Sequence, residues 1–103
     1  MIKNFLFSVL ISSSLLIAEV IIDVRTPEEF QSARLNKAIN IEWQNILSIQ
    51  NNINKTEKIY LYCRSGNRSQ KATELLVDAG FVDVENLGSL RQASETLKLK
   101  IIK

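Results

Sequence analysis

Histidine is absent from this 103-residue chain, and cysteine, proline, tryptophan and methionine each occur once. Without histidine, no imidazole can serve as general base or pair with a cysteine inside one subunit, which excludes chemistry of the cysteine-protease kind. A single cysteine, Cys63, excludes an internal disulfide. One proline and three glycines leave little loop-forming material, and no internal repeat or low-complexity tract marks an array or a disordered tail. Net charge is also scarce: thirteen Lys and Arg against eleven Asp and Glu give +2, too small and too scattered for a nucleic-acid surface. The remainder, 46% hydrophobic and 23% charged, suits one domain with one core.

The longest apolar run lies at the start of the chain. Lys3 precedes Phe5 to Ala18, a stretch with no charge and only hydroxyl-bearing polar residues, and Glu19 closes it. That is the layout of a secretory signal peptide, expected to be cut after Ala18 despite the large Leu16 two residues before it. The run falls short of the roughly 20 residues that span a bilayer, so no permanent membrane span is expected. The competing reading is an ordinary buried N-terminal strand or helix. The expected division is therefore residues 1–18 as signal peptide and 19–103 as an exported domain, in which a lone thiol is either buried or used. Lys98, Lys100 and Lys103 alternate with Leu99, Ile101 and Ile102, which reads as an edge strand or docked tail.

From Val20, the β-branched run Val20 to Val24 predicts a buried parallel strand. Thr26-Pro27-Glu28-Glu29 then places a hydroxyl at an N-cap, proline at the first helical position and two carboxylates in the positive first turn. Ala38 to Ile41 suits a second short strand. Trp43, Ile46, Leu47 and Ile53 suggest one face of a helix. Ile59 to Tyr62 predicts a further buried strand that delivers Cys63 to its carboxyl end. Ala72, Leu75, Leu76 and Ala79 mark a helix that Gly80 terminates, and a strand at Phe81 to Val84 and a helix at Leu90 to Leu97 follow. Strands alternating with helices in so short a chain predict a three-layer α/β domain with a mainly parallel sheet.

A cysteine at a strand end, followed by turn residues and a helix, sits where backbone N–H groups and the positive helix terminus converge, and such a nest stabilises an anion. That anion is either the Cys63 thiolate or a bound oxyanion. Arg64 and Arg68 add fixed charge suited to oxyanions, Ser65 and Ser69 add hydroxyl donors, and Gly66 permits a conformation other residues resist. Asp23 with Arg25 reads as a structural ion pair, and Trp43 as a packing residue.

The run Cys63-Arg64-Ser65-Gly66-Asn67-Arg68 resembles the active-site loop of the rhodanese family. Ile22-Asp23-Val24-Arg25-Thr26-Pro27-Glu28-Glu29-Phe30 resembles that family's first-strand signature. Ala38 to Ile41 resembles its second strand, and Gly80-Phe81 with Val84-Glu85-Asn86-Leu87-Gly88 its last strand and turn. The likeness is greatest to small periplasmic members. It implies a five-stranded parallel sheet and transfer of sulfane sulfur from a thiosulfate-like anion to cyanide or another thiophilic acceptor. Cys63 would carry a persulfide, and Arg64, Ser65, Gly66, Asn67, Arg68 and Ser69 would hold the substrate. No cofactor, metal or nucleic-acid partner is implied. Ala33-Arg34-Leu35-Asn36-Lys37, Ser89 and Ala93 depart from the family pattern. Two alternatives stay open: a persulfide carrier that docks with a partner protein, and a related cysteine phosphatase or arsenate reductase. The latter ordinarily need five residues between cysteine and arginine, where this chain has four.

Overall fold

The computed structural model describes residues 19–103, so the expected signal peptide and its cleavage site lie outside the described residues. The described chain runs β1 (Glu19–Asp23), α1 (Pro27–Ser32), β2 (Arg34–Leu35), β3 (Ile39–Asn40), a 3₁₀ helix (Trp43–Asn51), β4 (Lys58–Cys63), α2 (Asn67–Asp78), β5 (Val84–Ser89), α3 (Leu90–Leu97) and β6 (Ile101–Ile102). The main sheet has the order β3-β1-β4-β5, and its pairs are parallel. This is the α/β arrangement expected from the alternating pattern; among the described residues the main sheet has four strands where five were expected. The C-terminal β6 pairs antiparallel with β2 as a separate ribbon, Arg34 opposite Ile102 and Leu35 opposite Ile101, so the Leu99 to Ile102 stretch docks away from the main sheet.

Residue alternation along the strands divides the core into two faces. Ile22, Val24, Ile59, Leu61 and Cys63 face a cluster with Ile46 and Ile49 of the 3₁₀ helix and Ala72 and Leu76 of α2. Ile21, Tyr62 and Leu87 face Leu35 and Ala93 on the other side. Ala93 is fully buried and Ser89 N-caps α3 by accepting from the Gln92 N–H at 3.1 Å, so both departures from the family pattern have structural roles.

Two elements differ from the expectation. The segment 43–51 is a 3₁₀ helix, because Trp43, Ile46 and Ile49 recur every three residues and stack on one edge at three residues per turn. Leu47 is consequently turned outward and Ile49 takes the buried place. The last parallel strand begins at Val84, not Phe81, since Phe81 is spent on ending α2. Its N–H donates to Leu76 O at 3.0 Å while the Gly80 N–H donates to Val77 O at 3.0 Å, a Schellman closure with Gly80 at φ 102°.

The turn after β1 is tied down by an ion pair. Asp23 is fully buried, and Arg25 Nε and NH2 donate to its carboxylate at 2.7–3.1 Å. The backbone N–H of Arg25 donates to Asp23 Oδ1 at 2.9 Å, and its NH2 reaches Ala33 O at 2.6 Å. The pair thus joins β1 to the end of α1, as expected for a structural role. Trp43 packs half-buried against the core with Lys71 Nζ 5.0 Å from its ring centroid, also in keeping with a packing role.

Candidate active site

Cys63 ends β4, where the pairing with β5 shifts register between Leu61 and Cys63 and sets Cys63 opposite Ser89. Such irregularities re-aim a side chain at the end of a ladder. The chain then turns through Arg64 and Ser65, both exposed, to Gly66, which holds the left-handed conformation at φ 98° and serves as N-cap of α2. Gly66 has no side chain with which to cap the helix, and the cysteine sulfur takes that place. Cys63 Sγ accepts from the Gly66 N–H at 3.0 Å and from the Ser69 N–H, at the third helical position, at 3.4 Å. Sulfur at a helix N-terminus is stabilised in its anionic form by those donors and by the helix dipole.

Burial pushes the Cys63 thiol up, yet hydrogen bonds from Ser69 and from the N–H groups of Gly66 and Ser65 outweigh it and bring the group below its ordinary value. The Ser69 hydroxyl is the less secure of these donors. It lies 3.3 Å from Sγ but 2.6 Å from Asn86 Oδ1, and it has one proton to give. The backbone N–H groups are committed to sulfur and carry the stabilisation. Asn86, on β5, completes the frame. Its Oδ1 also accepts from the Gly88 N–H at 3.0 Å, and its Nδ2 donates to Gly66 O at 3.2 Å and to Gln70 Oε1 at 3.1 Å, which fixes the amide's orientation.

The six loop residues named from sequence are thus divided. Arg64, Ser65 and Gly66 form the turn, whereas Asn67, Arg68 and Ser69 are the first turn of α2. Ser69 is buried against the sulfur and Asn67 is exposed. Arg68, named as a ligand for an oxyanion, pairs with Glu29 of α1, Nη1 to Oε1 at 2.8 Å and Nη2 to Oε2 at 3.1 Å. Asn86 and Glu29 were not among the residues singled out for the site. Glu29 has a sufficient local explanation as the capping-box partner of Thr26, and no local pattern foretells a contact 39 residues away.

Cys63 has no solvent-accessible surface, while Arg64 and Ser65, which follow it in the chain, are exposed. A cavity of about 350 Å³ lined by Glu19, Ile21, Lys37, Leu97 and Leu99 lies at the opposite end of the sheet, where β1 begins. It contains none of the residues of the Cys63 loop.

The rhodanese-like domain family matches residues 11–93. The thiosulfate sulfurtransferase PspE of Escherichia coli is 37% identical over 76 residues, covering 72% of this chain and 73% of that protein. The adenylyltransferase and sulfurtransferase UBA4 of Meyerozyma guilliermondii is 38% identical over 76 residues, 66% of this chain and 18% of that protein. This chain therefore spans about a fifth of the length of such relatives. Among solved structures, a rhodanese with anions from Escherichia coli superposes with a TM-score of 0.72 at 32% identity, covering 84% of this chain and 99% of that one. With the loop geometry, the family match and a relative of comparable size in agreement, the chain belongs to the rhodanese-like domain family.

Proposed function

We propose that this domain is a thiosulfate sulfurtransferase that carries sulfane sulfur as a persulfide on Cys63. The observation that supports the reading best is the placement of Cys63 Sγ as the cap of α2, where backbone N–H groups hold an anion without any base. The Cys63 thiolate attacks the outer sulfur of thiosulfate. A new S–S bond forms as the old one breaks, and sulfite leaves with the electron pair. Cyanide or a thiolate then attacks the outer sulfur of the persulfide, and the Cys63 thiolate departs, to be received again by the same donors. Both steps pass between anions, so the missing histidine is no obstacle. Arg64 at the loop crest and the remaining donors of Arg68, with Ser65, Asn67 and Ser69 around them, hold the donor. Because Cys63 is fully buried, a donor reaches the sulfur only when the surrounding loop opens.

In the same reading residues 1–18 are a signal peptide and residues 19–103 act in the periplasm. The support is the apolar run after Lys3, closed by Ala18 and Glu19. No helix among the described residues is long and apolar enough to cross a membrane.

Complete burial of Cys63 favours a second reading, a persulfide carrier loaded and unloaded by a partner that opens the turn. A phosphatase is a poorer fit, because Arg68 is drawn toward Glu29 instead of closing a phosphate loop. Steady-state assay with thiosulfate and cyanide separates the first two. The enzyme should give many turnovers of thiocyanate per Cys63, whereas a single stoichiometric burst would assign the domain to the carrier class.

A further inference from the structure

The cavity of about 350 Å³ at the start of β1 is built by three parts of the chain: Glu19 and Ile21 of β1, Lys37 of the turn after β2, and Leu97 and Leu99 at the end of α3. Its volume lies at the small end of the range for ligand sites, about 300–1,000 Å³. The walls are fixed to one another. The Leu35–Ala38 turn is closed by the Ala38 N–H donating to Leu35 O at 3.1 Å, and the Asn36 N–H donates to Lys100 O at 2.8 Å, which ties that turn to the segment after α3. The Leu99 N–H donates to Ser94 O at 3.2 Å and so fixes the turn between the two leucines.

Backbone strain is concentrated at this cavity. Among the described residues two non-glycine residues have positive φ, Lys37 at 76° and Lys98 at 57°. Lys37 lines the cavity and Lys98 stands between its two leucines. Lys37 is the third residue of its turn, where glycine fits a positive φ at no steric cost, and it ends the segment that departs from the family pattern. A lysine in a glycine's conformation lowers stability, and residues held in this way collect at ligand sites.

The lining is complementary to one kind of molecule. Ile21, Leu97 and Leu99 give an apolar wall. Lys37 and Glu19 bring opposite charges to the same cavity, yet no ion pair joins them among the described residues. The hydrogen bond that the Glu19 carboxylate accepts from the Tyr60 hydroxyl is a long one, 3.4 Å. A molecule with one anionic end, one cationic end and an apolar side group matches all of these residues at once.

We propose that this cavity binds a free apolar α-amino acid, its carboxylate at Lys37, its ammonium at Glu19 and its side chain against Ile21, Leu97 and Leu99. The cavity and the Cys63 loop are at opposite ends of the sheet, so the inference goes beyond the sulfurtransferase reading and does not depend on it.

Isothermal titration calorimetry of the protein, expressed from its full chain, with L-leucine, L-methionine and L-phenylalanine tests it. At least one should bind saturably at one site per chain. The N-acetyl and amide forms of that amino acid, each lacking one charge, should bind about tenfold more weakly, the loss of one charge-assisted contact. Glycine, which has no side chain to bury, should also bind about tenfold more weakly. Lys37→Gly should lose about tenfold in affinity while its melting temperature stays level or rises, because glycine relieves the φ of 76°. A lysine serving the turn alone would give the rise without the loss. Glu19→Gln, with an unchanged circular dichroism spectrum, should weaken binding as well. Undiminished binding of either blocked form, undiminished binding in Lys37→Gly and Glu19→Gln, or no saturable binding of any of the three amino acids overturns the inference and leaves the reading of Cys63 untouched.

Discussion

Arg25→Ala is expected to cost about 3–5 kcal/mol of stability, because it leaves the fully buried Asp23 carboxylate without its counter-charge. Asp23 would keep one backbone donor, the N–H of residue 25, and lose the three side-chain contacts at 2.7–3.1 Å. The bond from Arg25 to Ala33 O, which holds the end of α1 to β1, would go too. Set against a total of about 5–15 kcal/mol for a domain of ordinary stability, the loss is a large share of the whole. Asp23→Leu combined with Arg25→Met should recover most of it, since an apolar pair of similar volume avoids the burial of charge. Urea denaturation of the three proteins measures this. A loss under about 1 kcal/mol in Arg25→Ala would show that Asp23 finds other solvation and that the pair does not organise the turn.

Gly66→Ala should be the most damaging change to the reactivity of Cys63 that leaves every side chain of the site in place. A Cβ at residue 66 would meet Gly88 Cα at 3.5 Å, an ordinary contact, so the difficulty is conformational: φ 98° is strained for alanine. That strain is typically about 1–3 kcal/mol. Relief by backbone rotation moves the residue 66 N–H off the sulfur, where it now lies at 3.0 Å. The wild-type alkylation rate with iodoacetamide should titrate below the free-thiol value of about 8.5. In Gly66→Ala the midpoint should move up toward that value, and persulfide formation at neutral pH should slow by about tenfold, the loss of one charge-assisted hydrogen bond of about 1.5 kcal/mol to the sulfur. Coincident midpoints in the two proteins would remove the Gly66 N–H from the activation of Cys63.

Much of this site could be read before any coordinates because its determinants are contiguous. Ile59 to Tyr62 is apolar without a break, Gly66 follows three residues after Cys63, and Ala72 and Leu76 keep helical spacing, so strand, turn and helix are all encoded within twenty residues. Thr26 and Gly80 likewise act locally, as caps. What was misjudged depends on partners far along the chain or on a fine choice of period. Trp43, Ile46 and Ile49 carry a period of three, which Leu47 and Ile53 obscure by completing a plausible helical face. The C-terminal stretch is the docked tail that its alternation suggested, but its partner β2 lies about 67 positions away and has no local signal. Arg68 carried the sign of an anion ligand, but its engagement by Glu29 is a product of the folded topology, as is the clamp that Asn86 forms on Ser69 and Gly66.

The central claim is that Cys63, held as an anion by the start of α2, accepts sulfur covalently. Intact mass spectrometry of the wild type and of Cys63→Ser, after thiosulfate treatment at neutral pH and again after cyanide, tests it most directly. The wild type should gain the mass of one sulfur atom and lose it to cyanide, while Cys63→Ser, with an unchanged circular dichroism spectrum, should gain nothing. Sulfur retained on Cys63→Ser, or a wild type that stays unmodified with its thiol free, would contradict the account.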